Sequence, residues 1–141
     1  MNKRLQENPR IDEDWYATAF SALYPILYSH RTIASARPEV DFAVEQVGLC
    51  STDTVLDLCC GNGRHMVHLT SSSRHTIGLD YSRDLLRIAS EAVGAKSELI
   101  LGDMRALPFR DSLDVVFNFF TSFGYFQSCE ENEAVLHDIA Q

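Results

Sequence analysis

Two segments of helical periodicity precede any strand-like run. Trp15, Ala19, Phe20 and Leu23 fall on one face at i, i+4, i+5 and i+8, which predicts a helix over residues 12–24, broken or kinked by Pro25. Leu27-Tyr28-Ser29-His30-Arg31 reads as a loop with aromatic and basic side chains. Pro38 suits the first position of a second helix, where its missing N–H costs nothing. Val40, Val44 and Val47 follow at i, i+4 and i+7, and Gly48 closes that helix.

The pattern then changes period. Val55-Leu56-Asp57-Leu58 is apolar but for one acid and runs into Cys59-Cys60-Gly61-Asn62-Gly63-Arg64-His65. This predicts a buried parallel strand, a tight turn and a helix start. Met66, Leu69 and Val67 continue that helix to about Ser71. Thr76 to Leu79 is a second strand with Asp80 at its carboxyl end. Ser82 is a good N-cap for a helix with Leu85, Ile88, Ala89 and Ala92 on its apolar face, ended by Gly94. Glu98 to Gly102 is a third strand. Leu113 to Phe120 is a fourth, apolar on both faces apart from Asp114 and Asn118, so a central position is expected. Thr121 to Gln127 is an aromatic loop. Ser128 and Glu131 have capping-box spacing, and Val135, Leu136 and Ile139 give the last helix its apolar face.

The order β-α-β-α-β-β-α predicts an α/β fold, a Rossmann-like doubly wound and mostly parallel sheet. Residues 1–37 form an N-terminal helical cap packed on the core, or a lid in which Tyr24, Tyr28, His30 or Arg31 closes over a ligand. Residues 38–141 carry the sheet. Composition narrows the picture. At 141 residues, 45% hydrophobic and 23% charged, the chain is one globular unit at most. No apolar run reaches the ~18 residues of a membrane span. A polar start and four cysteines without a spaced framework predict a reduced, cytoplasmic protein and no membrane partner. A net charge of −8, with scattered Lys and Arg, disfavours nucleic acid.

Candidate chemistry centres on the turn. Glycine at 61 and 63 lets backbone N–H groups approach a ligand closely. The third small residue of a dinucleotide fingerprint is replaced by Met66, and the Asp57 carboxylate would repel a pyrophosphate. The same carboxylate suits an ammonium or sulfonium ligand. No Gly-Lys-Ser/Thr follows, which excludes a P-loop. Asp80 stands 17 residues after Gly63, near the ~20 expected of an acid that holds ribose hydroxyls. Its loss is expected to affect ligand binding and leave the fold's stability nearly unchanged. Cys59, Cys60, His65 and His68 lack zinc-ligand spacing, so no metal is expected.

Four segments in order resemble the class I S-adenosylmethionine-dependent methyltransferases over residues 38–141. Val55 to Gly63 resembles the family's first motif and Gly78-Leu79-Asp80-Tyr81-Ser82 the second. Gly102-Asp103-Met104-Arg105-Ala106-Leu107-Pro108-Phe109 resembles the third, and Leu113-Asp114-Val115-Val116-Phe117 the fourth. The resemblance implies S-adenosyl-L-methionine as cofactor and a small-molecule methyl acceptor. The turn with Cys59, Gly61 and Gly63 would pass under the methionine part, and Asp57 would hold its ammonium directly or through water. Asp80 would accept the ribose hydroxyls, with Tyr81 against the adenine and Asp103 and Met104 at its edge. Asn118 and Phe119 would line the cofactor near the methyl group.

The segment Asn118-Phe119-Phe120-Thr121 stands where nucleic-acid amino-methyltransferases resemble Asn-Pro-Pro-Tyr. Both prolines are absent, which again disfavours nucleic acid. No general base is assigned, because His30, His65 and His137 are candidates by residue type alone. The alternatives are a non-catalytic or truncated cofactor-binding module, told apart by binding without turnover, and a nucleotide-dependent oxidoreductase, disfavoured by Met66 and Asp57. The family's sheet resembles seven strands in the order 3-2-1-4-5-7-6, of which this sequence supplies the first four. A truncated domain is therefore expected, with Val115, Val116, Phe117, Phe119 and Phe120 exposed along an open edge prone to aggregation. Oligomeric state is not legible.

Overall fold

The structure, a computed structural model, describes residues 15–95 and 97–141. Four parallel strands, β1 (Thr54–Leu58), β2 (His75–Asp80), β3 (Ser97–Leu101) and β4 (Val115–Phe117), lie in the order β3-β2-β1-β4. All five residues of β1 are buried, as a strand covered on both faces requires. The helices are α1 (Trp15–Ala19), α2 (Tyr24–Leu27), α3 (Ile33–Val47), α4 (Met66–Leu69), α5 (Arg83–Ala92) and α6 (Cys129–Ile139). None of them is long and apolar enough to cross a membrane.

Period-two alternation divides the core between the sheet's faces. Leu56, Leu58, Ile77 and Leu79 pack with Met104 and with Val135 of α6. Val55 and Phe117 pack on the other face with Val40 of α3 and Leu69 of α4. Cys60, Met66 and Leu86 form a third cluster beneath the glycine turn. Gly78 makes that cluster possible. A Cβ there would lie 2.5 Å from Met66 Sδ and 2.8 Å from Cys60 Sγ.

Several boundaries differ from the sequence expectation, each for a local reason. The first predicted helix is two short ones, and Pro25 sits in the first turn of α2, where it starts a helix instead of ending one. The beginning of the predicted span, residues 12–14, lies outside the described residues. The next helix begins at Ile33, five residues before Pro38. Thr32 caps it by accepting from Ser35 N–H at 3.1 Å, while Ser35 Oγ accepts from Thr32 N–H at 3.0 Å. Pro38 therefore lies inside the helix on an exposed face. In α5, Leu86 is buried and Ala92 exposed, and in α6 Leu136 faces solvent at 53% exposure.

The fourth strand spans three residues, not 113–120. At its start, Asp114 donates its N–H to Thr54 O and accepts Thr54 N–H on Oδ2 at 2.7 Å. At its end, Asn118 Nδ2 donates to Leu58 O at 2.8 Å, so a side chain replaces the next ladder bond. Phe120 then turns into left-handed backbone at φ 63°. Among the described residues β4 pairs with β1 alone. Phe117, expected exposed on that edge, is 7% exposed, because its pleat faces Val40 and Leu69. Phe120 is half exposed.

Asp57 is the exception within β1. It is 1% exposed, and its Oδ2 has no hydrogen-bond partner. Burial, and next the negative charge of Asp80, push its pKa from 3.8 to about 8, opposed by Arg64. Between those two values the folded state keeps a proton that the unfolded chain has lost, so stability falls as pH rises through that window. Asn at this position cannot ionise. The Asp57→Asn protein should gain melting temperature over the parent at pH 8 and much less at pH 5, read by thermal melts without ligand. Parallel curves at the two pH values would show that Asp57 does not titrate there. Gly78→Ala should lower stability by about 1–3 kcal/mol in denaturant titration, the usual range for overpacking.

Candidate functional site

The carboxyl ends of the four strands open into a cleft with about 980 Å³ of non-atom space, part of it open to solvent. Its floor is the turn after β1. Cys59, Gly61 and Gly63 all have left-handed backbone, at φ 61°, 56° and 78°. For the two glycines this carries no steric cost. For Cys59 it does, of order 1–3 kcal/mol, and the position is held by its neighbours. Cys60 N–H donates to Leu79 O at 3.1 Å, which ties the turn to β2. The Cys59 thiol lies 3.7 Å from Met104 Sδ. Burial, then the charges of Asp80, Asp57 and Asp103, push its pKa up to about 12, so it stays a neutral thiol.

Asp80 joins the floor to the wall. Its Oδ2 accepts Gly61 N–H at 2.7 Å, and its Oδ1 accepts Ser82 N–H at 2.8 Å. Burial raises its pKa, while the backbone N–H groups of Ser82, Gly61 and Tyr81 oppose that shift. The acid is therefore part of the fold as well as of the cleft. The expectation that its removal would leave stability nearly unchanged is corrected, since Gly61 and Ser82 would each lose an acceptor. Each carboxylate oxygen still has a lone pair free to accept from a ligand.

Seven of the ten residues singled out from sequence line the cleft: Cys59, Gly61, Asp80, Tyr81, Asp103, Met104 and Phe119. Asp103 already holds Arg105, whose Nη2 lies 2.6 Å from its Oδ2, and this contact keeps the carboxyl below its ordinary pKa. The other three are not in the lining. Gly63 serves packing, because a Cβ there would lie 3.0 Å from Ala89 Cβ of α5. Asn118 is engaged with Leu58 O. Asp57 lies within β1, one layer behind the surface of the cleft.

Of the histidines, only His65 borders the cleft. Its ring stacks on Phe119 at 4.2 Å between centroids, and Nε2 lies 2.7 Å from Glu39 Oε2. Burial lowers its pKa to about 4 in spite of Glu39, so the ring is neutral near pH 7. With Nε2 donating to the carboxylate, Nδ1 is left as an acceptor. His137 lies on α6, beside Gln141 and Asp138, and His30 beside Tyr28; neither lines the cleft.

The roof comes from α1, α2 and the loop after β4. Trp15 meets Tyr125 edge-on at 4.9 Å, Phe20 stacks on Tyr125 at 6.0 Å, and Tyr16 meets Tyr81 at 5.9 Å and Phe126 at 6.0 Å. Of the four residues proposed for a lid, Tyr24 and Arg31 line the cleft; Tyr28 touches Arg31 from outside it. Arg64, Tyr16, Phe20, Tyr125 and Phe126 also line it, and the sequence reading did not assign them to the site. The density of aromatic residues at 119–126 is the signal that pointed there.

Residues 55–141 match a family model described as a methyltransferase domain. A Streptomyces venezuelae protein named dTDP-3-amino-3,4,6-trideoxy-alpha-D-glucopyranose N,N-dimethyltransferase is 33% identical over 88 residues, 62% of this chain and 37% of that one. A Lactococcus lactis demethylmenaquinone methyltransferase is 41% identical over 71 residues, 45% of this chain and 28% of that one. The crystal structure of Streptomyces venezuelae DesVI aligns with a TM-score of 0.66 and 28% identity, covering 84% of this chain and 50% of that one. The chain thus spans about a third of the length of these curated relatives and half of that solved structure. The matched family model covers the sheet and the turn that floors the cleft, and the chain belongs to the methyltransferase-domain family, among the class I S-adenosylmethionine-dependent methyltransferases.

Proposed function

We propose that the protein transfers a methyl group from S-adenosyl-L-methionine to a small-molecule acceptor. One observation carries the reading: a cleft at the carboxyl ends of parallel strands, floored by a glycine turn that a strand-end acid holds through backbone N–H. The family relatives support it. Those relatives are named for an amino sugar on dTDP and for demethylmenaquinone, both small molecules.

The residues fit this cofactor. Gly61 presents backbone without a Cβ at the floor. Asp80 retains acceptor capacity for ribose hydroxyls, and Tyr81, 53% exposed, offers a ring face for adenine, with Met104 beyond it. The unpartnered Oδ2 of Asp57 is a buried acceptor that suits an ammonium reached through one water. The three residues outside the lining act from behind it, Gly63 and Asn118 by shaping the floor and Asp57 through the acceptor oxygen its buried carboxyl leaves open. When bound, S-adenosylmethionine supplies an electrophilic methyl group on a sulfonium. The chain's own part is to align two reactants and exclude water, and orientation of this kind supplies about 7–11 kcal/mol. The helices α1 and α2 act as the lid, held over the cleft by the aromatic contacts of Trp15, Tyr16 and Phe20 with Tyr125 and Phe126. His65 Nδ1 is an acceptor at the cleft for an acceptor substrate that must lose a proton. Four free cysteines are consistent with a reducing, cytoplasmic setting.

Calorimetric titration tests the reading. The protein should bind S-adenosylmethionine or S-adenosylhomocysteine in preference to NAD. Binding of NAD with neither adenosyl compound would overturn it. In the same assay Asp80→Asn, which keeps the side chain's volume but loses one acceptor oxygen, should weaken S-adenosylhomocysteine about tenfold or more, since hydrogen bonds to a charged group contribute about 1.5–3 kcal/mol each. It should also lower the melting temperature without ligand. An unchanged dissociation constant would confine Asp80 to holding the turn.

A further inference from the structure

His65 is a buried group that uses half of its hydrogen-bonding capacity. Its Nε2 lies 2.7 Å from Glu39 Oε2, and no group among the described residues bonds to its Nδ1. The buried side-chain polar atoms without a partner, among the described residues, are Asp57 Oδ2 and Asn132 Oδ1. Nδ1 is not one of them, so it opens on the cleft that the ring lines. Three elements hold that ring. Phe119, after β4, stacks on it at 4.2 Å with the two planes 8° apart. Glu39, on α3, takes Nε2. Arg64, in the glycine turn, lies 3.3 Å from the same Glu39 oxygen, and its guanidinium stands over the Phe120 ring at 4.6 Å. The consecutive phenylalanines serve both neighbours because Phe120 adopts left-handed backbone at φ 63°, a conformation that persists only where its surroundings impose it.

The titratable groups that act on the imidazole are Glu39, Arg64 and His68. Burial outweighs them and keeps the ring neutral near pH 7. A neutral imidazole that donates from Nε2 has a bare Nδ1, which can only accept. Its place in the sheet gives this acceptor a task. Tyr81 and Met104 follow β2 and β3 on one flank of the cleft, whereas His65 and Phe119 stand beyond the ends of β1 and β4. A cofactor whose nucleoside occupies the first flank leaves the second for the molecule to be methylated. We propose that His65 selects the methyl acceptor by taking a hydrogen bond from the N–H or O–H of the atom to be methylated, with Glu39 as the positioning residue that fixes its tautomer. The substrate class is then an amine or hydroxyl compound that still carries hydrogen on that atom. An analogue without that hydrogen leaves Nδ1 unsatisfied and is rejected. The inference rests on the methyltransferase reading above.

The test uses two pairs of probes that differ in whether the heteroatom carries hydrogen: phenol against anisole, and aniline against N,N-dimethylaniline. Aromatic probes suit a cleft lined by Phe119 and Phe120. Each is added to the S-adenosylhomocysteine complex of protein made with isotopically labelled histidine. Two-bond proton–nitrogen correlation spectra should show His65 with hydrogen on Nε2 and none on Nδ1 from pH 8 to pH 5. Phenol and aniline should shift the Nδ1 resonance, and their methylated partners should not. His65→Phe keeps a ring to stack on Phe119; it should weaken phenol about threefold or more and change anisole less than twofold. Glu39→Ala should mix the two tautomers and weaken phenol alone. Hydrogen on Nδ1 in the parent would overturn the proposal, as would equal shifts from both members of a pair or no shift from any probe. If His65→Phe does not fold, the spectra of the parent decide. A parent protein that does not bind S-adenosylhomocysteine would sink the methyltransferase reading itself, an outcome distinct from all of these.

Discussion

The carboxylate of Asp80 is the point on which the cleft depends. A buried acid is costly unless its oxygens are satisfied, and here each oxygen takes a backbone N–H, one from Gly61 and one from Ser82. Those two bonds join the turn after β1 to the turn after β2. The turn needs that support, because Cys59 sits in backbone that a non-glycine residue adopts at a cost. The packing beneath is equally constrained: Gly78 admits Met66 and Cys60 to contacts that any side chain at 78 would close off. A group that orders the floor and also lines the cleft ties the stability of the fold to the shape of the site.

Charge is distributed along the cleft in the same economical way. Asp57 is kept near neutrality by burial and by Asp80, Arg64 is cancelled by Glu39, and Arg105 is spent on Asp103 and Glu131. The roof is aromatic instead of charged. Ring contacts at 4.9–6.3 Å among Trp15, Tyr16, Phe20, Tyr125 and Phe126 hold the roof to the loop after β4 by short-range packing.

Much of this was legible in the chain. The four strands and the helix between β2 and β3 follow from apolar runs ended by Gly, Asp or Ser, because strand period and cap chemistry are local, and the order of the strands in the sheet follows from the family resemblance. Seven of the ten residues singled out face the cleft for the same reason: residues at the carboxyl ends of parallel strands reach one rim together. What failed was also physical. Pro38 marked a helix start only until the Thr32–Ser35 cap outweighed it. The fourth strand shortened because Asn118 and Asp114 spend their side chains on β1, a pairing 60 residues apart that no local pattern records.

By itself, then, the sequence determined the element order and the strand-end acids, since each rests on patterns within a few residues, and the alternation of strand and helix implied the parallel sheet because parallel neighbours need a crossover. Only the tertiary structure decided which acids face the cleft and which stand behind it. Asp57 and Asp80 both interrupt apolar strand runs, yet one lies within β1 with an oxygen unpartnered and the other at the tip of β2 bridging two turns. Their difference is depth along the strand. The position of Arg31 over Phe120 was likewise decided in three dimensions, because it requires a roof from residues 15–31 to meet a loop nearly ninety positions later.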